Sequence, residues 1–168
     1  ANSYLYDIDD HIERYQLNAD TRSYQNTDRV KIKGFELSAL WQASPQLQST
    51  LSYQWQQGKD KEKQTIDDGL PTAFKWQLSY QPSSPLLSDF KVTNQVNYRF
   101  AKADFGPSEQ PLDAALIWHS SISWALLPDM DVKLTFTNIT DQNYRASSDE
   151  DAPFQPQRSV DLAWQWFY

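Results

Sequence analysis

Apolar and polar residues alternate with a period of two along most of this chain, and that period predicts β-strands. It is fullest over Arg158 to Tyr168, where Val160, Leu162, Trp164, Trp166 and Tyr168 share one face. Ser159, Asp161, Ala163 and Gln165 take the other. The alternation recurs eight times in all, and nothing shows convincing 3.6-residue periodicity over ten or more residues. The predicted strands are Asn2–Asp10 (Tyr4, Tyr6 and Ile8 on one face), Val30–Ala43, Leu47–Gln56 and Phe74–Gln81. Phe90–Phe100, Asp113–Leu126, Val132–Thr137 and Arg158–Tyr168 complete the set.

Connections alternate in length. Ser44-Pro45-Gln46, the Gln81–Asp89 stretch and Pro128-Asp129-Met130 are compact and proline-bearing. His11–Asp28, Gly58–Pro71, Lys102–Pro111 and Arg145–Gln157 read as long polar loops. Short turns at one end and long loops at the other are the habit of membrane-spanning barrels. The two strand faces agree with it: one is aliphatic and aromatic, the other is Gln, Ser, Thr, Asn, Lys and Arg, too polar for a dry core. With alternate strands running in opposite directions, Phe35, Tyr53, Trp55, Phe74, Trp76, Tyr98, Phe100 and Trp118 gather toward one boundary. Trp41, Tyr80, Phe90, Trp124, Trp166 and Tyr168 gather toward the other. Two ring girdles around an aliphatic belt suit a bilayer and its interfaces. The expected fold is all-β: an antiparallel transmembrane β-barrel of about eight up-and-down strands.

Composition narrows the function. Of the 168 residues 39 % are hydrophobic while 14 % are aromatic, so apolar content sits in rings. No run approaches the ~20 apolar residues of a membrane-spanning helix, and no signal peptide is visible. Without cysteine, disulfides, thiolate metal sites and cysteine nucleophiles are excluded. A net charge of −7 argues against nucleic acid as a partner. Four glycines and no phosphate-loop fingerprint leave no nucleotide site to propose.

Asn138 to Tyr144, N-I-T-D-Q-N-Y, resembles the Asn-Leu-x-Asp-x-x-Tyr element near the end of TonB-dependent outer-membrane receptors. Asn138, Asp141 and Tyr144 occupy its defining positions. Gln155-Pro156-Gln157-Arg158 stands where that family has a Pro-Gly-Arg turn, with Gln157 in place of glycine. The last eight residues resemble the family's membrane-assembly signal: Asp161, Trp166 and Tyr168 match, and Ala163 takes the glycine position. Gly34-Phe35-Glu36 is similar to its recurring Gly-apolar-Glu. The resemblance implies a bacterial outer-membrane location and part of a transporter for a scarce nutrient such as a ferric siderophore, haem or cobalamin. Its implied partners are outer-membrane lipid, a small-molecule ligand, the rest of the barrel with its plug, and a TonB-type energy-transducing protein reached through the plug. Since the family's barrels are far larger, residues 1–168 are expected to form a C-terminal barrel segment, fragment or split subunit, without the plug.

No residue arrangement suggests catalysis or a cofactor. His11 and His119 read as a solvated loop residue and a polar lining residue, not as a metal pair. Asp7, Asp9 and Asp10, and Asp149-Glu150-Asp151, lack the spacing of a calcium loop and read as charged surface. Asn138-Ile139-Thr140 fits a glycosylation pattern that carries little weight at a strand end. The stretch Tyr15 to Tyr24 is aromatic and polar enough to touch a ligand, but substrate contacts are not assignable. Two rivals stand: a complete eight-stranded barrel (adhesin or lipid-modifying enzyme) and a Trp-rich carbohydrate-binding sandwich. The first needs Asn2–Asp10 paired with Arg158–Tyr168; the second needs the ring faces packed inward.

Overall fold

The structure is a computed structural model. It describes all residues except Ala19, Asp20, Thr27, Asp28, Asp68, Pro85, Leu86, Ser88 and Tyr168; nor are the side chains of Arg14, Tyr15, Gln16 and Arg22 described. Among the described residues there are ten strands and no helix. They are β1 (Asn2–Asp9), β2 (Ile12–Asn18), β3 (Thr21–Asn26), β4 (Arg29–Ser44) and β5 (Leu47–Asp60), followed by β6 (Ala73–Tyr80), β7 (Lys91–Arg99), β8 (Ala115–Leu127), β9 (Met130–Thr137) and β10 (Ser159–Trp166). Eight form one antiparallel sheet in the order β1-β4-β5-β6-β7-β8-β9-β10, and β2 and β3 pair separately. Each large strand therefore lies beside its chain neighbour once the β2–β3 hairpin is set aside, the up-and-down order that short turns dictate.

The eight alternating segments of the sequence are the eight strands of the large sheet. Their registers carry the two faces from strand to strand. On the apolar face Leu51, Trp76, Val96 and Trp118 pair in a row, and so do Tyr53, Phe74, Tyr98 and Leu116. On the polar face the row is Thr50, Gln77, Gln95 and His119. Two polar interruptions of the apolar face have a local cause. Trp76 Nε1 donates to Ser49 Oγ at 2.9 Å, and Trp118 Nε1 donates to Asn94 Oδ1 at 3.2 Å. An indole N–H with no water nearby needs such an acceptor.

The ring-bearing face is open. Trp41 is 65 % and Trp164 67 % exposed, whereas the buried apolar residues, among those described, are Val30, Ile66, Leu112, Ala115 and Ile117. A sandwich with the rings packed inward is thus not what this sequence builds. Nor is the sheet closed. Among the described residues β1 pairs only with β4 and β10 only with β9, so the ladder that a complete eight-stranded barrel requires is missing.

Three expectations need correction. His11–Asp28 is not a plain loop: β2 and β3 form an antiparallel hairpin from Ile12↔Asn26 to Asn18↔Thr21. Ile12, Leu17 and Tyr24 are all exposed, so no buried face imposes an apolar alternation for the sequence to reveal. Strand β5 runs to Asp60, beyond the expected loop start at Gly58, because Gly58 and Asp60 pair with Ile32 and Val30. The polar face is not polar throughout. Val30, Ile32 and Gly34 are in register with Ile8, Tyr6 and Tyr4, so the upper part of that face is apolar. The tip of the Tyr4 ring lies over Gly34, in the space a Cβ would take.

Candidate functional site

All long connections leave from one end of the sheet: the β2–β3 hairpin and the segments 61–72, 100–114 and 138–158. They fold over one another into a cap. At its centre Lys102 Nζ lies 2.7 Å from Glu109 Oε2, the two side chains only 9 % and 3 % exposed. Lys102 also donates to the Gly69 carbonyl at 2.9 Å and to Ser148 Oγ at 3.1 Å. Ser148 Oγ donates to Glu109 Oε1 at 2.6 Å, and the Gly106 N–H donates to Glu109 Oε2 at 2.9 Å. One buried ion pair thereby joins three separate loops. Burial alone would push the Glu109 carboxyl up; Lys102, Ser148 and the Gly106 N–H outweigh it and hold it below the usual range.

Around that centre the fastening continues. The Ser108 N–H donates to Asp67 Oδ1 at 3.0 Å, and the Asp67 N–H donates to Glu13 Oε1 at 2.6 Å, tying loop 61–72 to both neighbours. Lys59 Nζ lies 2.7 Å from Asp104 Oδ2. Lys59 and Thr65 beside Asp104 hold its carboxyl low. Gln110 donates to the Asp149 carbonyl at 2.7 Å and accepts from Arg145 Nη1 at 2.7 Å. The Arg99 guanidinium reaches the Asp113 carbonyl at 3.1 Å and the Arg145 carbonyl, and faces the Tyr144 ring.

The Asn138–Tyr144 element lies at the edge of this cap. Asn138 is 1 % exposed, with φ 51°, a conformation that asparagine tolerates better than most residues. Its Nδ2 donates to the Gln142 carbonyl at 3.0 Å and the Pro156 carbonyl at 3.1 Å, while its Oδ1 accepts from the Gln142 N–H at 3.0 Å. Asp141 Oδ1 accepts from the Arg158 N–H at 3.0 Å, and the Tyr144 carbonyl accepts from the Gln155 N–H at 2.8 Å. Together these bonds fold the loop back onto the start of β10. Asp161 lies on the polar face opposite Thr135, and Trp166 is exposed opposite Met130. Tyr168 is outside the described residues.

The other candidate residues do not converge. His11 lies at the hairpin base, whereas His119 is on the polar face of β8, where its Nδ1 accepts from the Asn138 N–H at 3.3 Å. Asp7 and Asp9 face Arg29, and Asp10 accepts from Asn26 at 3.1 Å. Asp149 pairs across an isolated bridge with Glu109. Among the described residues no three His, Asp or Glu side chains come together as a metal site. Of the stretch Tyr15 to Tyr24, Tyr24 is exposed and the Tyr15 side chain is not described. Below the cap, the polar face curves around an open hollow of about 640 Å³, lined by Glu36, Gln54, Lys75, Asn97 and Arg99 among others. Sequence reasoning did not single out Lys102, Glu109, Asp67 or Glu13. They come from three separate segments, β2, loop 61–72 and loop 100–114, and no local pattern marks them.

An unclosed up-and-down sheet, with one face of rings, one face of polar groups and all its long loops gathered at one end, defines an arc of a large transmembrane-type β-barrel. The chain belongs to the TonB dependent receptor-like β-barrel family, whose pattern it matches over residues 1–147. Solved structures share the fold. The copper transporter OprC superposes over 98 % of this chain with a TM-score of 0.80 at 14 % identity. The pyoverdine outer-membrane receptor FpvA from Pseudomonas aeruginosa PAO1 gives a TM-score of 0.73 at 13 % identity over 99 %. The ferric-catecholate import receptor Fiu from K12 E. coli gives 0.66 at 18 % identity over 96 %. The chain spans only 28 %, 26 % and 24 % of those three, about a quarter of each. No curated protein sequence matches it.

Proposed function

We propose that this chain is the C-terminal part of the barrel of a TonB-dependent outer-membrane transporter. It supplies barrel wall, lumen lining and outward loops for the uptake of a scarce nutrient. The observation that carries this reading is the division of the sheet. The open face of Leu, Val and aromatic residues matches lipid, the polar face matches a hydrated lumen or plug, and the fastened loop cap matches a ligand-facing end. The rest of the barrel would pair with β1 and β10, whose outer edges have no neighbour among the described residues. Asp161, Trp166 and Tyr168 would serve as the assembly signal of the terminal strand. The protein would act as a transporter and not as an enzyme, its plug drawn by a TonB-type energy-transducing protein. Candidate cargoes are ferric siderophores, haem and cobalamin, and copper joins them through the likeness to OprC.

Uptake measurements decide it. In cells expressing the intact receptor, accumulation of one labelled cargo from that set should be lost on deleting the receptor gene. Deleting the energy-transducing protein should cause the same loss. Unchanged uptake of every cargo in both strains contradicts the proposal.

A further inference from the structure

At the hairpin base a second hollow, of about 450 Å³, opens between β2, the upper ends of β4 and β5, and loop 61–72. That size lies in the range of small-molecule sites and far exceeds a bare ion. Its wall has two characters. Ile32, Ile66 and Tyr24 supply apolar and aromatic surface, while Glu13, Asp67 and Gln56 supply oxygens. Two of those oxygens are buried and have no partner: Asp67 Oδ2 and Gln56 Oε1. Asp67 is only 8 % exposed, and its other carboxylate oxygen is already fixed by the Ser108 N–H. Glu13, 6 % exposed, is adjacent, accepting from the Asp67 N–H.

A buried carboxylate oxygen without a donor is costly, and native structures rarely leave one bare. Among the described residues no side chain donates to it. Among the described lining residues His11 is the sole side chain able to carry positive charge. Lys102, the nearest buried ammonium of the cap, is held by Glu109. The negative charge is in excess at Glu13 as well: burial, together with the neighbouring Asp67 and Asp60, pushes its carboxyl up. Both unpartnered atoms of this lining are acceptors, so the missing partner is a donor. The apolar wall beside them asks for a hydrocarbon stem, and Tyr24 offers a ring face to a cation.

We propose that this hollow is a subsite for an organic cation, an ammonium or guanidinium group on an apolar stem, with Asp67 Oδ2 and Gln56 Oε1 accepting its N–H donors and Glu13 balancing its charge. It rests on the reading of the loop cap as the ligand-facing end, and narrows the cargo class to one that carries such a group. A guanidinium, with five N–H donors in a planar fork, has more donors than an ammonium to offer these acceptors.

The test is equilibrium binding of butylguanidinium and butylammonium to the purified intact receptor in detergent, with butanol as neutral control and Ca²⁺ as inorganic rival. Binding in detergent needs no energy transducer, so it fails or succeeds independently of transport. Butylguanidinium should bind in preference to butanol. Asp67→Asn, which keeps the acceptor for Ser108, should weaken it roughly ten- to hundredfold. Glu13→Gln should weaken it less, and Glu62→Gln, on the exposed part of loop 61–72, should leave it unchanged. Correct folding of each variant is read from its heat-dependent gel mobility. Equal binding of butanol overturns the subsite, as does full binding by folded Asp67→Asn, or displacement of the probe by Ca²⁺ and not by butylammonium. Unchanged uptake of every cargo in the deletion strains, with probe binding intact, would instead count against the transporter reading alone.

Discussion

Lys102 and Glu109 are seven positions apart in one loop, yet their ion pair is the point where three loops meet, with both side chains nearly out of water. Such a pair is a fastening more than a source of net stability, because desolvation offsets much of the attraction. Removing one partner is a different matter. Lys102→Met leaves the Glu109 carboxylate buried without its cation, a loss of about 3–5 kcal/mol. Amide exchange in residues 104–110 and 146–149 should accelerate by the corresponding factor, while amides of β7 and β8 stay protected. Acceleration spread evenly over the strands would show that the pair supports the barrel, not the cap.

Two of the three crowded glycines make a contrast. A Cβ on Gly106 would run into the backbone of Asp67, which cannot move without parting loops 61–72 and 100–114. At Gly34 the Cβ would meet only the far end of the Tyr4 ring, which can rotate away. Gly106→Ala should therefore loosen the cap by about 1–3 kcal/mol, as overpacking does, while Gly34→Ala changes stability by about 1 kcal/mol or less. Chemical unfolding followed by loop-placed and strand-placed fluorophores separates the two. An equal response would refute the contrast.

Asn138 combines an unusual backbone angle with a fully used side chain, and two substitutions separate these roles. Asn138→Gly accepts the φ without strain but removes the side-chain bonds; Asn138→Ala removes the bonds and adds strain. Each buried group left unpaired costs roughly 1–3 kcal/mol. Both variants should lower the midpoint of thermal unfolding, alanine further than glycine. A glycine variant as stable as the parent would mean that the bonds to Gln142 and Pro156 contribute nothing.

Acid should open the cap late. Glu109 and Asp104 have carboxyls held below their ordinary values, so their contribution is complete above the unfolded-state values, about 4, and disappears as pH falls through the lowered ones. Glu13 has the opposite sign: its raised value means that protonation on the way down from neutrality removes an unfavourable buried charge. Spin labels at Glu62 and Ala146, both exposed on the cap, should report a constant separation from pH 7 to about 4 and a broadening below it. Broadening already at pH 6 would contradict these signs.

Much of the sheet was legible because its two faces meet different surroundings, and a period-two strand records that difference directly. The same cause explains the failure at Ile12–Asn26. That hairpin pairs separately from the large sheet, its apolar side chains are exposed, and backbone pairing leaves no imprint on side-chain order. The apolar upper part of the polar face was misread because Val30, Ile32 and Ile8 meet only when β1 is laid against β4. Asn138 and Asp141 were visible through resemblance to a known motif; their work, fastening the loop to Pro156 and Arg158, was not. The cap was out of reach altogether. Its bonds join residues 39, 41 and 54 positions apart, and no propensity or spacing rule operates over that range.

The central claim is that the long-loop end faces outward on an outer-membrane barrel with β1 and β10 joined to further strands. Single cysteines in the intact receptor test the direction most directly. Glu62→Cys and Ala146→Cys, on the cap, should react with a membrane-impermeant maleimide on whole cells. Pro45→Cys and Pro128→Cys, in the short turns, should react only after the outer membrane is breached. Labelling of the short turns on intact cells, with the cap silent, would contradict the account.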